Sequence, residues 1–190
     1  MSKSLFSAGL VALGLCLALP ATAQVRAVDT GKSKIAFVYT VEKTIAVEGR
    51  FPKYSAQVRF DEKQPEKGSV VLDIDLGAID TGSADGDTEA KRPLWFDVPK
   101  FPKATFASTA IRKVGEGRYE AAGKLTIKGK VRDVVAPFTT APAAGGGLTT
   151  QGKLVIKRLL FDIGTGQWAD VTQVADDVEV RFTLVMGPAK

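Results

Sequence analysis

The feature that most constrains the fold of this chain is a strict alternation of apolar and polar residues. It is clearest near the C-terminus, where Val178, Val180 and Phe182 alternate with Glu179 and Arg181. Successive side chains of a β-strand point to opposite faces of its sheet, so a period of two predicts strands with one buried face. The same pattern recurs in segments that begin near residues 35, 70, 105, 119, 131 and 148. The chain is therefore predicted to consist mainly of β-strands.

The connections between these segments are mostly short turns, for example at residues 64–68, 115–117 and 128–130. Such turns favour strands that pair antiparallel in sequence order. A sheet of this kind must close or cover its edges, because open edges pair with other molecules. With 190 residues and no internal repeat or linker, the chain is predicted to be all-β, a single antiparallel barrel of about eight strands.

One short helical segment is predicted between strands, within residues 85–102. Asp87 is expected to cap a first turn that contains Glu89. Pro93 disfavours helical geometry at Arg92, so two short turns are expected here rather than one long helix.

The interior of an eight-stranded barrel is either filled by side chains or holds one small, elongated ligand. The inward-facing residues of this chain are apolar, so a cavity would suit an acyl or isoprenoid chain rather than a sugar. A filled core would use the same residues. Periodicity alone leaves both alternatives open.

Histidine is absent from the chain, and Cys16 is the single cysteine. These two facts exclude a Ser-His-Asp or Cys-His catalytic site and imidazole metal ligands. No pair of carboxylates stands at a spacing typical of acid–base catalysis. We therefore predict no catalytic residues, no metal and no cofactor.

The first 23 residues have the pattern of a secretory signal peptide. Lys3 precedes an uncharged apolar run over residues 5–19, and Ala21 and Ala23 provide small residues at the cleavage positions. The run is shorter than the roughly 20 residues of a membrane-spanning helix, which disfavours a retained anchor. Leu15 before Cys16 does not fit a lipoprotein signal. We predict cleavage after Ala23, a mature domain of residues 24–190 and a periplasmic location.

The charged residues predict a dispersed polar exterior. The net charge is +5, but lysine and arginine alternate with apolar residues, and no basic and aromatic platform for nucleic acid is present. Weak attraction to anionic membranes is expected, and exposed strand edges allow a homodimer without requiring one. A group of acidic residues is interpreted as a solvated turn, since Lys91 stands where a calcium loop needs glutamate. Its members are Asp80, Asp85, Asp87 and Glu89.

Four groups of short motifs follow one another along the mature chain. They are SKIAF (33–37) with VEGRF (47–51), AIDTG (78–82) with LWFD (94–97) and FPKATF (101–106), GKLTIKG (123–129), and RLLFDIG (158–164) followed by Trp168 and VEV (178–180). In this order and spacing the chain resembles the YceI family of bacterial periplasmic proteins. The resemblance implies an extended lipocalin-like barrel with a long hydrophobic pocket. It also implies an isoprenoid-tailed ligand, either a polyprenyl compound or a ubiquinone-like quinone.

Two positions depart from the pattern of the family. Lys32 replaces a histidine that often precedes the first motif, and residues 86–90 replace a run that often carries arginine and histidine. Both changes remove polar groups of the usual kind. Among the properties that the family resemblance implies for this chain, recognition of a headgroup is therefore the one that it supports least.

The ligand-binding residues that we predict are inward-facing apolar residues, aromatic residues of the loops and one arginine. They are Phe37, Tyr39, Phe51, Leu72, Ile74, Leu94, Trp95, Phe96, Phe106, Leu125, Ile127, Arg158, Phe161, Trp168 and Phe182. For any single aromatic residue, ordinary core packing is an equally good interpretation. Tyr39 is expected to bond a backbone carbonyl, and Arg158 a carboxylate such as Asp162 or Asp170.

The predicted function is a non-enzymatic carrier or store for an isoprenoid lipid. Two alternatives stay open at this point. One is a periplasmic enzyme that acts on a lipid-like substrate, since carboxylate, lysine, tyrosine and serine side chains remain available. The other is an accessory protein that presents a bound quinone to a membrane redox system.

Overall fold

The computed structural model of the protein describes residues 25–189. The predicted signal peptide, including Cys16, lies outside the described residues. The strands are β1 (Val25–Val28), β2 (Lys34–Val41), β3 (Ile45–Arg50), β4 (Tyr54–Arg59), β5 (Ser69–Asp75), β6 (Lys103–Gly115), β7 (Arg118–Ile127), β8 (Lys130–Ala143), β9 (Gly147–Lys157) and β10 (Val174–Ala189). One α-helix, α1 (Ala84–Ala90), and several 3-10 turns complete the described part.

The ten strands occupy eight positions around a closed antiparallel barrel, because two of these positions are each shared by two strands. β1 and β2 both pair with β10, β1 at its C-terminal end and β2 along its N-terminal half. β4 and β3 share the neighbouring position, since β4 pairs with β1 and β3 pairs with β2. The remaining strands pair in sequence order from β4 to β10, which closes the sheet. The predicted all-β, eight-stranded antiparallel barrel is confirmed.

The helix α1 lies where the sequence predicts one, but its cap is different. The Ser83 side chain accepts a hydrogen bond from the Gly86 amide at 3.1 Å and so caps the helix. The predicted cap at Asp87 is wrong. The Asp87 carboxylate instead accepts bonds from the amide and the hydroxyl of Thr81, both at 2.7 Å. The helix ends before Pro93, as the proline requires.

The apolar side chains of the interior form two clusters, one toward each end of the barrel. One cluster includes Phe60, Ile111 and Tyr119, and Phe60 meets Tyr119 edge to face with ring centroids 5.1 Å apart. The other surrounds Phe37 and Phe161 and lies beside α1. No helix within residues 25–189 is long and apolar enough to cross a membrane.

Candidate functional site: an apolar cavity in the barrel

The barrel encloses a cavity of about 720 Å³. This volume lies within the range of about 300–1,000 Å³ that is typical of small-molecule sites. The side chains of Leu72, Leu125, Leu154 and Val180 face this cavity and are only partly buried, because no protein atoms cover their inner ends. The interior is therefore hollow, which decides between the two alternatives that periodicity left open.

One end of the cavity is aromatic and closed. Phe60, Ile111 and Met186 line it, and each has only 2% of its surface exposed. Phe138 also lines this end and packs against the cluster, with its ring centroid 5.7 Å from that of Phe60. We call this the aromatic end. An apolar chain that enters the cavity cannot pass beyond it.

The opposite end of the cavity carries the polar side chains of the α1 region. Those that line the cavity are Thr81, Asp85, Thr88, Glu89 and Arg92, and we call them the polar end. Their carboxylates do not form a metal site, and no group of three metal-ligating side chains gathers anywhere within the described range. A long ligand can thus place an apolar tail along the barrel and a polar headgroup beside α1.

Two tryptophans lie at the polar end, outside the strands as predicted. The indole rings of Trp95 and Trp168 approach to 5.6 Å between centroids. The indole N–H of Trp168 donates to the Glu89 carboxylate at 3.1 Å, which ties the segment before β10 to α1. Both rings line the cavity, so intrinsic fluorescence reports directly on its contents.

Arg158 lies behind this end of the cavity with only 1% of its surface exposed. Its guanidinium donates to five backbone carbonyls, those of Ile163, Gly164, Trp168, Val174 and Ala175, at 2.6 to 3.0 Å. The predicted bond to Asp162 or Asp170 is wrong. These carbonyls belong to a turn that the arginine itself holds together, whereas both carboxylates make other contacts. Burial lowers the pKa of the Arg158 guanidinium.

Two hydrogen-bond donors of the site lack a protein partner. The Tyr39 hydroxyl faces the cavity and meets no acceptor within residues 25–189, contrary to the predicted bond to a carbonyl. Burial raises the pKa of this phenol, so it stays a donor at neutral pH. The indole N–H of Trp95 is also buried without an acceptor among the described residues. Buried donors are normally paired. The Tyr39 hydroxyl, on a partly buried residue of the cavity lining, is the one of the two that is suited to an oxygen atom of a ligand, because the Trp95 N–H is enclosed by protein.

Thirteen of the fifteen predicted residues line the cavity. Leu94 does not, because it points outward, is 38% exposed and packs near Gly166. Phe161 does not either, because it is 1% exposed and packed into the core behind the wall. The structure thus places the predicted set around one space, and contact with a ligand stays a prediction.

Sequence reasoning missed part of the lining. Asp85 and Glu89 were interpreted as members of a solvated turn, yet they line the polar end because α1 turns one face toward the barrel. Val134 and Ala136 line the wall from β8. Their alternation with exposed residues was visible, but two neighbouring valines, Val134 and Val135, hid which of them faces inward.

These features define a class of protein: a closed antiparallel β-barrel around an elongated apolar cavity with a polar end. The chain belongs to the YceI family, since the sequence model of the YceI-like domain matches residues 27–186. The Salmonella arizonae protein YceI is 34% identical over 143 residues, which are 72% of this chain and 71% of that protein.

Solved structures share the fold. The crystal structure of Burkholderia cenocepacia BcnA matches with a TM-score of 0.80 and 42% identity, covering 84% of this chain and 99% of BcnA. A polyisoprenoid binding domain from Saccharophagus degradans, implicated in plant cell wall breakdown, matches with a TM-score of 0.70. It covers 88% of this chain and 99% of that domain at 14% identity, a likeness of fold alone.

Proposed function

We propose that this protein is a periplasmic carrier that binds an isoprenoid-tailed lipid, either a polyprenyl compound or a ubiquinone-like quinone, without acting on it chemically. The observation that carries the proposal is the division of the cavity into a long apolar part and one polar end. Burial of apolar surface contributes roughly 25 cal/mol per Å², so a long tail can be held strongly without a covalent bond.

The likeness to a polyisoprenoid binding domain supports the choice of ligand. Tyr39 supports a headgroup that carries oxygen atoms, since it lines the cavity and offers a hydroxyl donor without a protein partner. Arg158 is better suited to holding the wall than to binding a headgroup, because five carbonyls already occupy its donors. The predicted signal peptide supports export.

The state of Glu89 at the polar end favours binding over catalysis. Glu89, the carboxylate that faces the cavity from the last turn of α1, is engaged by the Trp168 indole and by Arg92 at 3.0 Å. A general base must be free to reach the proton that it removes. A carboxylate tied to two neighbours is better suited to fixing the shape of the site.

The test is native mass spectrometry of protein purified from the periplasm, followed by solvent extraction of any bound molecule. We expect one added mass that extraction identifies as an isoprenoid compound. The stripped protein should then regain ubiquinone or polyprenol, and quenching of Trp95 and Trp168 by ubiquinone should saturate. A bare protein that takes up neither compound would contradict the proposal, and recovery only from the cytoplasm would contradict the location.

A further inference from the structure

The wall of the barrel is interrupted between β8 and β9. These strands pair from Ala143 and Gly147 up to Phe138 and Gly152, where the ladder stops. Beyond that point residues 130–137 of β8 pair only with β7, and residues 153–157 of β9 pair only with β10. None of the described backbone hydrogen bonds joins these two segments. We call this interruption the seam.

The seam borders directly on the cavity. Val134 and Ala136 line the cavity on its β8 side, and Leu154 and Ile156 line it on its β9 side. At the head of the seam the side chains of Phe138 and Phe182 line both the cavity and a separate depression on the outer surface. The wall at this point is therefore only one layer of side chains thick.

The outer rim of the seam is apolar. Val131 and Val135 of β8 are 49% and 50% exposed, Val155 of β9 is 57% exposed, and Leu160 in the turn after β9 is 51% exposed. Neighbouring lysines are paired with acidic residues, as in Lys153 with Glu179 and Lys130 with Asp162. The pairing leaves an apolar surface that continues inward, between the strands, to the apolar cavity.

The polar end of the barrel is held by more hydrogen bonds than the seam. The Lys128 ammonium donates to the carbonyls of Pro93 and Asp162, both at 2.7 Å, and the Glu89 bond to Trp168 joins α1 to the opposite segment. Opening the polar end breaks these bonds. Opening the seam breaks no ladder hydrogen bonds, each of which contributes about 1 kcal/mol elsewhere in the wall. The Lys130–Asp162 ion pair crosses its foot, but both side chains are about half exposed and such a pair contributes little.

We infer that the seam is the entrance through which an isoprenoid tail passes sideways between a lipid bilayer and the cavity. The inference rests on the proposed function and adds the route and the surface. Exposed apolar residues around an opening mark sites that meet a membrane or another apolar surface. A bilayer is the source that fits, because the rim joins an apolar exterior to an apolar interior and its lysines Lys130 and Lys153 are paired with acidic residues.

The test links the two sides of the seam covalently. Residues 25–189 contain no cysteine, so Val135→Cys with Val155→Cys provides a unique pair of outward-facing thiols for a reducible bis-maleimide. The matched control is Ala141→Cys with Thr149→Cys, which joins the same two strands where they already pair directly. The probe is ubiquinone in phosphatidylcholine vesicles, and the readouts are tryptophan quenching and extracted quinone.

We expect the linked seam to slow ubiquinone uptake by about tenfold or more, the effect of adding about 1.4 kcal/mol to the barrier. Reduction of the linker should restore the rate, and the control pair should not alter it. Linking the seam after loading should slow release to the same degree. A second variant, Val155→Ser, should slow uptake from vesicles more than Val71→Ser, which changes an exposed valine on β5.

Equal uptake by the linked and reduced seam would overturn the inference and place the entrance at the polar end. The reduced protein serves as its own folding control. Failure of the unmodified protein to take up ubiquinone or polyprenol from any source would instead overturn the proposed function, and the seam with it. The two failures are therefore distinguishable.

Discussion

Phe182 of β10 lies directly over Gly152, its partner on β9. A β-carbon built on Gly152 would stand 2.4 Å from Cζ of Phe182 and 2.4 Å from the carbonyl oxygen of Pro137. The same relationship holds for Gly49 and its partner Phe37, where the distance is 2.2 Å. Gly123 lies diagonally under Phe106, two residues from its own partner Ser108, and a β-carbon there would stand 2.6 Å from the ring. In each case the missing side chain lets an aromatic ring lie close to the wall, which leaves the middle of the barrel open.

The first prediction concerns Gly152→Ala. The added methyl group forces either the Phe182 ring or the β8 backbone to move, so we expect a loss of about 1–3 kcal/mol in the free energy of unfolding. Denaturant unfolding measures it. Gly31→Ala is the matched control, because a β-carbon there meets nothing closer than 3.4 Å and should change stability little. Equal effects of the two substitutions would contradict this account of Gly152.

The second prediction concerns Arg158. Arg158→Met removes all five donors and leaves buried carbonyls without partners, so we expect about 3–5 kcal/mol of destabilisation. Arg158→Lys should also be destabilising, since an ammonium has three donors and no planar fork. Hydrogen exchange should rise first within residues 163–175. Arg132→Met, at an exposed arginine whose one hydrogen bond goes to the adjacent carbonyl of Val131, should alter stability by less than about 0.5 kcal/mol.

The third prediction separates the two faces of β5. Leu72 lines the cavity and Val71 points outward with 42% of its surface exposed. Leu72→Trp should occupy the space of the ligand, so we expect ubiquinone affinity to fall by about tenfold or more, a change of about 1.4 kcal/mol. Val71→Trp should leave affinity unchanged. The affinities of both variants are measured by titration with ubiquinone and quantification of the bound quinone after extraction, a readout that does not use tryptophan fluorescence. A thermal melt verifies folding.

The fourth prediction concerns the Tyr39 hydroxyl as a donor to the headgroup. Tyr39→Phe should weaken ubiquinone binding by about three- to tenfold, the effect of losing one hydrogen bond. Binding of a hydrocarbon such as squalene should not change. A parallel loss for squalene would show that the ring, and not the hydroxyl, is what matters.

The same residue gives a pH dependence with a definite sign. Burial raises the pKa of the Tyr39 phenol, and desolvation acts in the same direction on Tyr54 and Tyr119. The unfolded chain therefore loses these protons first, near pH 10, so stability is retained below that pH and falls as pH rises through the folded-state pKa. Thermal melts on either side of pH 10 should show a smaller fall for Tyr39→Phe than for the natural protein.

The sequence predicts the barrel well because alternation is a local property. Residues such as Val178 and Glu179 report their own orientation, and a chain of short turns leaves few ways to pair the strands. Hollowness is not local: Leu72 has the same neighbours in sequence whether the space before it is filled or empty. The partners of Arg158 could not be predicted because backbone carbonyls carry no signal in the amino-acid sequence.

The seam and the cap of α1 were missed for related reasons. A ladder ends where two strands diverge in space, and neither Phe138 nor Gly152 shows this in its own pattern. Ser83 and Asp87 are both good capping residues, and only the position of Thr81, which takes the Asp87 carboxylate, decides between them.

The pairing of β1 with β10 brings Arg26 beside Ala189, so the first and last strands of the described chain are neighbours in one ladder. Such a barrel has high contact order and cannot close before its final strand is available. Closure of the barrel therefore waits for β10, and a chain that has not yet formed this strand has no finished compartment to fill. Loading is thereby restricted to closed barrels, and removal of either β1 or the C-terminal end of β10 opens the wall at the same place.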